Sequence, residues 1–271
     1  MKAKISSGLL YTVLTIYSVL VALPLFWMMI SSTKTVREIF ATPFSLPPQP
    51  KWSNFSMVWN KGIADYMLNS LLVVSVSVTI IVVVSGLAAY AMARMRFPGR
   101  LPIYLMIMAG YAIPIHTVLV PIYIMENTFH MLDQYIGLIG PYVAFAIPFS
   151  VLLLYSFFME FPQDLEDAAH LDGCSTFQMV TRVVLPLSMP GLSSVAIFQG
   201  VFLWNEFLLA LIVISDGAKK TLPLGLTVFQ GEWSTNWPNL LAAITLATLP
   251  LLLLYIVLQK QFINSLTGFS K

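Results

Sequence analysis

Six long apolar stretches divide this sequence, and they restrict its possible folds more than any other feature. They lie at about residues 9–30, 67–93, 101–123, 137–159, 187–214 and 239–259. Crossing the roughly 30 Å hydrocarbon core of a bilayer takes about 20 apolar residues in a helix. A lone strand would leave its backbone groups unpaired in lipid, so each stretch is predicted to be a helix. The expected fold class is all-α: a polytopic membrane protein with six transmembrane helices in a single domain, residues 1–271.

Composition agrees with a membrane protein. Only 10% of the residues are charged and the mean hydropathy is +0.83, whereas soluble domains carry about 25% charged residues. The first stretch exceeds the usual apolar region of a signal peptide and no small-x-small cleavage site follows it, so it is predicted to be retained as a span. No basic stripe with interleaved aromatic residues is present, which argues against a nucleic-acid partner.

The positions of Lys and Arg predict the orientation of the spans. The short loop RMRFPGR, with Arg94, Arg96 and Arg100, is expected to be cytoplasmic. With six spans, eight of the 14 Lys and Arg residues then lie on that side. Both termini are expected to be cytoplasmic, and so is the loop after the fourth span.

That loop contains an unusually acidic stretch, FPQDLEDAAHLDG, from Phe161 to Gly173. Asp164 is predicted to cap a helix at its start, and Gly173 to end it in the left-handed conformation. The remaining two turns, Leu165 to Asp172, are too short to be stable alone in water. The helix is either a solvated linker between two spans or a docking element whose acids meet basic groups of a partner.

Polar residues inside the spans are candidates for a transport pathway. Glu206 is the one acid well inside a predicted span, where a charge costs about 2.5–3.5 kcal/mol, so it is expected to face protein or water. Gln199 precedes it by seven residues and shares its helical face. Asn205 and His116 are further candidates. Glu206 as a purely structural group and His116 as a buried histidine remain the alternatives. His170 and Cys174 have metal-ligand spacing, but no third or fourth ligand is evident, so no metal site is expected.

The stretch LEDAAHLDG, followed by Leu185 and Pro186, resembles the EAA loop of ABC importer permeases. The family pattern is roughly Glu-Ala-Ala, a Gly four residues on and a later Leu-Pro. Asp167 stands where the family has Glu, while Ala168, Ala169 and Gly173 match in register. The stretches PFSVLLLYSFF, WNEFLLALIV and TLPLGL resemble the carbohydrate-uptake branch, specifically the second permease of maltose-type systems.

The resemblance implies a permease subunit of a binding-protein-dependent importer in a bacterial or archaeal inner membrane, forming half of the pathway for a sugar or oligosaccharide. The loop 161–186 would hold a coupling helix that docks on a cytoplasmic ATPase through Leu165, Glu166, Asp167, Ala168, Ala169, Asp172 and Gly173. The implied partners are a second, non-identical permease, two ATPase subunits, an extracytoplasmic binding protein or lipoprotein, and membrane lipid. No cofactor is expected in this chain, since it lacks a phosphate-binding G-x-x-x-x-G-K-[ST] loop. ATP and Mg would be bound by the ATPase subunits.

Two other functions remain open at this point. A secondary transporter for a small polar solute would show inverted repeats and broken helices, with acids serving a coupling ion. A membrane enzyme would need a catalytic motif, and neither H-E-x-x-H nor G-x-S-x-G occurs. Both leave the acidic helix unexplained, so the chain is predicted to be a transporter subunit and not an enzyme.

Overall fold

The computed structural model describes residues 7–231 and 235–267, and the regular elements in these ranges are helical. The predicted cytoplasmic ends, residues 1–6 and 268–271, lie outside them. One isolated β-bridge joins Gln230 and Thr235. The α-helices are α1 (Ser7–Ser31), α2 (Val36–Ala41), α3 (Ser53–Asn60), α4 (Ile63–Arg94), α5 (Arg100–Tyr111), α6 (Leu119–Thr128), α7 (Tyr135–Glu160), α8 (Gln163–Leu171), α9 (Thr176–Met179), α10 (Leu185–Leu187), α11 (Met189–Trp204), α12 (Leu208–Val213), α13 (Leu222–Leu226) and α14 (Trp237–Thr267).

Four helices of the described residues are long and apolar enough to cross a membrane: α1, α4, α7 and α14. They correspond to the predicted spans 9–30, 67–93, 137–159 and 239–259. Two bent helix pairs bring the number of possible spans to six. The prediction of an all-helical polytopic protein is therefore confirmed, while the third and fifth spans are not the continuous helices that the sequence predicts.

The third predicted span, 101–123, is broken where α5 ends. The chain bends by 85° between α5 and the helical segment Ile115–Thr128. Pro114 explains the break, because it has no N–H to donate and disfavours helical backbone at the preceding residue. Proline does not interrupt every span, since Pro24, Pro148 and Pro250 lie within helices that continue past them.

The fifth predicted span, 187–214, is interrupted in two places. The chain bends by 67° between the segments Thr176–Leu187 and Met189–Trp204, at Ser188, between Pro186 and Pro190. The helix stops again at Trp204 and resumes as α12. No proline lies at this second break, so another cause is needed there.

The chain divides into two compact units. One comprises Met1–Ala64 and Gly225–Pro250, and the other Asp65–Leu224 and Leu251–Lys271. The single domain inferred from the sequence stays a prediction. In the second unit α7 packs against both α5 and α11, and its core includes Leu138, Val151, Leu154 and Phe158, all fully buried.

The first unit contains a buried lysine. Lys34 is fully buried, and its Nζ donates to the carbonyl oxygens of Thr42 at 3.0 Å and Pro43 at 2.9 Å. The side-chain amide of Asn54 donates to the carbonyl oxygens of Ser32 and Lys34. These bonds satisfy carbonyls that have no helical partner, and they hold the loop after α1 in place.

In the second unit, α4 and α7 run in the same direction. The Tyr135 hydroxyl donates to Asn69 Oδ1 at 2.7 Å near the start of both helices. The rings of Tyr90 and Phe158 meet edge to face at 5.6 Å near their ends. The end of this unit that holds Arg94 is called the arginine end below, and the end that holds Asn69 is called the opposite end.

Hydrogen bonds fix the loops at the opposite end. Asp133 Oδ1 accepts from the backbone N–H groups of Ser215 at 2.6 Å and Asp216 at 2.7 Å. The N–H groups of Asp216 and Ser215 lower the pKa of the Asp133 carboxyl below its ordinary value. The Asn69 amide donates to two carbonyl oxygens in the segment 218–220. The loop after α12 is thus tied to the start of α4 and to the loop before α7.

Candidate functional site

The acidic stretch forms α8 at the arginine end, and the helix begins earlier than predicted. Pro162 precedes Gln163–Leu171 in an extended conformation and offers no side-chain cap. Asp164 therefore lies in the first turn with Glu166 and not at the cap position. In the first turn its negative charge still interacts favourably with the helix dipole. Gly173 follows the helix with φ of +79°, which confirms the predicted left-handed end.

Replacing Gly173 with valine is expected to destabilise this helix end by about 1 kcal/mol or more, because a β-branched residue resists positive φ. No atom lies within 4 Å of an added Cβ, so the effect is conformational and not steric. Gly217→Val is the matched control, since that position is equally open and has no positive φ. Thermal unfolding and uptake would be compared, and full stability and activity of Gly173→Val would contradict the assignment.

Glu166 turns toward its own chain. It is 9% exposed, and its Oε1 lies 3.1 Å from Nε of Arg94, the last residue of α4. The Nε–H is not aligned as a hydrogen bond, so the contact is an ion pair. The Tyr90 hydroxyl donates to Oε2 at 3.4 Å, and the Arg94 guanidinium donates to the carbonyl oxygen of Phe161. Arg94 thus connects α4 to α8 and to Phe161, which lies between α7 and α8.

The seven predicted docking residues divide into two groups. Glu166 and Ala169 are buried, and Ala169 is only 6% exposed. The remaining five face outward: Leu165, Asp167, Ala168, Asp172 and Gly173. The residues that can meet a partner are therefore a subset of the predicted set, because a two-turn helix packed on the end of a span can expose only one side.

Two large apolar side chains stand beside these acids. Leu171 is 89% exposed and Phe177 is 77% exposed. Phe177 lies in α9, which starts at a capping box formed by Ser175 and Gln178. The sequence predicts Phe177, Val180 and Val184 on one side, but Val180 and Val184 are buried while Phe177 is not. The outward surface of α8 and α9 therefore combines acids with two exposed apolar side chains.

A cavity of about 230 Å³ is the second candidate feature, and α5, α7 and α11 line it. Its side-chain polar groups belong to Tyr111, Tyr142, Gln199 and Glu206. Gln199, Leu203 and Glu206 all line the cavity, although α11, which carries the first two, ends at Trp204 before Glu206. The wall is largely aromatic and includes Tyr111, Phe145, Phe149, Phe198 and Phe202.

Glu206 explains the break between α11 and α12. Its Oε1 accepts from the N–H of Leu209 at 2.8 Å, and its Oε2 accepts from the N–H of Ala210 at 3.3 Å. The Tyr142 hydroxyl donates to Oε2 at 2.6 Å. The carboxylate therefore caps α12, whose first N–H groups have no partner within the helix. Glu206 is half-buried and reaches the cavity as well.

The other predicted pathway residues differ in their surroundings. Gln199 is 3% exposed, and its amide donates to Ser150 Oγ at 3.0 Å. Asn205 is exposed and its amide donates to the carbonyl oxygen of Val201 at 2.8 Å. His116 is exposed in the turn before α6. Within the described part of the chain, neither Asn205 nor His116 lines the cavity, so their contact with a substrate stays a prediction.

Sequence reasoning missed Arg94 and Tyr142. Arg94 serves in the sequence only as a marker of orientation, and nothing in a pattern shows which carboxylate an arginine will reach. Tyr142 does carry a signal, because Tyr142, Phe145 and Phe149 are spaced three and four residues apart and so share a helical face.

A sequence model of one protein family matches residues 82–267, and its description is "Binding-protein-dependent transport system inner membrane component". The chain is 39% identical to a putative ABC transporter permease protein of Caldicellulosiruptor sp. over 93% of this chain and 92% of that protein. It is 36% identical to NgcG, a permease protein of a diacetylchitobiose uptake system of Streptomyces coelicolor, over 95% of this chain and 86% of that one.

One solved structure has the same fold. A chain in the crystal structure of a bacterial ABC transporter involved in the import of the acidic polysaccharide alginate superposes with a TM-score of 0.81. The superposition covers 94% of this chain and 96% of that one, at 20% sequence identity.

Proposed function

Because the chain belongs to the family of binding-protein-dependent transport system inner membrane components, we propose that it is a permease subunit of an ABC importer and forms half of the pathway for a sugar or oligosaccharide. The names of two similar proteins support a carbohydrate cargo. NgcG is named for diacetylchitobiose uptake, and the transporter of the solved structure is described as importing alginate. The importer lies in the inner membrane of a bacterium or archaeon, where an extracytoplasmic binding protein or lipoprotein delivers the cargo at the opposite end.

The aromatic cavity is this chain's part of the pathway. Aromatic rings can pack on the apolar faces of sugar rings, while Glu206, Gln199 and Tyr142 supply hydrogen-bonding groups. Pockets that enclose a ligand measure about 300–1,000 Å³, and a cavity of about 230 Å³ is smaller. A second permease therefore completes the pathway, and the resemblance to the carbohydrate-uptake branch implies that it is non-identical.

The arginine end is the cytoplasmic end, and α8 is the coupling helix. The outward surface of α8 and α9, with Asp167, Leu171 and Phe177, docks on one of two ATPase subunits, which bind ATP and Mg. Closure of the ATPases moves α8, and the Arg94–Glu166 ion pair transmits the movement to α4. The exposure of Leu171 and Phe177 on the same surface as Asp167 and Asp172 is the observation on which this proposal depends, since such apolar side chains favour burial against a partner.

Site-directed cross-linking tests the docking surface. The sequence contains one cysteine, Cys174, so Cys174→Ser provides a cysteine-free background. Ala168→Cys, on the exposed side of α8, is expected to cross-link to a copurified ATPase subunit. Ala169→Cys is the matched control. Ala169 is buried, so a cysteine at this position should cross-link at least several-fold less.

The outcome also separates the importer from its alternative. A secondary transporter for a small polar solute would suit the two broken spans, but it would have no ATPase and would import cargo in response to an ion gradient. Equal labelling of both cysteines, or uptake that persists without ATP, would contradict the coupling role.

A further inference from the structure

A second cavity, of about 450 Å³, lies at the arginine end. It is open on one side and is lined by the end of α4, the loop that follows it, the start of α5 and the first turn of α8. Its walls are formed by Ala93, Arg94, Arg96, Arg100, Gln163 and Glu166. Unlike the aromatic cavity, it is mostly polar, and it takes no part in the pathway described above.

The charges around this cavity are unbalanced. Three guanidinium groups share the wall with one carboxylate, which leaves a net charge of +2. Arg94 is neutralised by Glu166, but Arg96 and Arg100 form no ion pair within residues 7–231 and 235–267. Arg100 donates only a long bond, at 3.4 Å, to the carbonyl oxygen of Met95. The cavity therefore presents two unneutralised guanidinium groups, and guanidinium groups are well suited to bind phosphate oxygens.

The position of the cavity identifies the source of the phosphate. Only five residues separate the spanning helix α4 from α5, the first segment of the broken third span, so we place the cavity at the membrane surface. Met95 is 45% exposed and Leu101 is 64% exposed, and both belong to the segment that carries the arginines. Apolar side chains next to a cationic cavity match an amphiphile better than a free anion. Basic pockets between spans on the cytoplasmic side are known to bind anionic lipid headgroups.

We propose that this cavity binds the phosphate of an anionic phospholipid of the cytoplasmic leaflet, held by Arg96 and Arg100. The acyl chains lie along the exposed apolar side chains of Met95 and Leu101. The proposal depends on the membrane orientation and not on the identity of the cargo. It adds a lipid site to the end of the molecule where α8 meets α4.

Lipid retention by the full chain, purified with its copurifying subunits, tests the proposal. Dioleoyl phosphatidylglycerol and dioleoyl phosphatidylcholine would be titrated and counted by native mass spectrometry. Arg96→Gln/Arg100→Gln is expected to bind phosphatidylglycerol about 30-fold more weakly, since each basic residue near an anionic leaflet contributes about 1 kcal/mol and 1.4 kcal/mol is a factor of ten. Phosphatidylcholine should bind weakly to both forms.

Two further variants keep the result interpretable. Arg182→Gln removes the same charge from an exposed position outside the cavity, and it should retain phosphatidylglycerol as the native chain does. Arg96→Lys/Arg100→Lys keeps the charge and should lose only part of the affinity. Three results would overturn the proposal. They are equal lipid retention by the double Gln variant, displacement of the lipid by inorganic phosphate alone, and a double Gln variant that keeps its lipid but loses a copurifying subunit.

Discussion

Replacing Arg94 with leucine is expected to reduce ATP-dependent uptake at least tenfold while hydrolysis of ATP continues. The change leaves the Glu166 carboxylate, 9% exposed, without its counter-ion. Removing one partner of a buried ion pair costs roughly 3–5 kcal/mol. Because both side chains stay partly exposed, we expect a cost near the lower value for this pair. Because α8 still presents Leu171 and Phe177, the ATPase would bind but would no longer move α4. Uptake and hydrolysis measured together in proteoliposomes check this.

A double-mutant cycle separates the ion pair from general damage. Arg94→Leu/Glu166→Leu removes both charges, so it should be less impaired than the sum of the two single variants. Arg37→Leu, the same change at an exposed arginine elsewhere, should leave uptake unchanged. Strictly additive effects, or normal uptake by Arg94→Leu, would show that the pair does not connect α8 to α4.

Replacing Glu206 with alanine is expected to lower the free energy of unfolding by several kcal/mol and to deplete the assembled transporter. The change leaves the N–H groups of Leu209 and Ala210 unpaired, and both residues are fully buried. A buried donor without an acceptor costs about 1–3 kcal/mol. Thermal unfolding of the purified protein and the yield of assembled complex measure the effect.

Two conservative variants resolve the role of this carboxylate. Glu206→Gln keeps one acceptor oxygen and should recover part of the stability. Tyr142→Phe removes only the hydroxyl that donates to Glu206 and should cost about 0.5–1.5 kcal/mol, the net contribution of an ordinary hydrogen bond. If Glu206→Ala assembled normally and changed only cargo affinity, the cap would be dispensable and the carboxylate would belong to the pathway alone.

The fold class was predictable because hydropathy and backbone hydrogen bonding act locally. A long apolar run in lipid has no alternative to helix, and four of the predicted runs are continuous helices. The break at Pro114 was also readable in principle, since proline acts on its own neighbours. The break at residues 205–207 was not predictable, because it depends on the Glu206 carboxylate accepting hydrogen bonds from the first turn of α12.

The candidate site was predictable to a similar degree. The motif located α8 and its end at Gly173, where a local conformational requirement acts on a single residue. It did not distinguish Glu166, which is turned inward, from Asp167, which is exposed. Helical spacing places these neighbours about 100° apart, but only the packing partner decides which side is buried.

Local patterns were enough to predict an all-helical membrane protein with a short acidic helix between two spans, since length, hydropathy and turn residues depend only on neighbours in the chain. The tertiary structure alone decided that Arg94 meets Glu166 and that Glu206 meets Tyr142, pairs whose members lie 72 and 64 residues apart. Contacts over such separations depend on how the helices pack, and no local pattern records that packing.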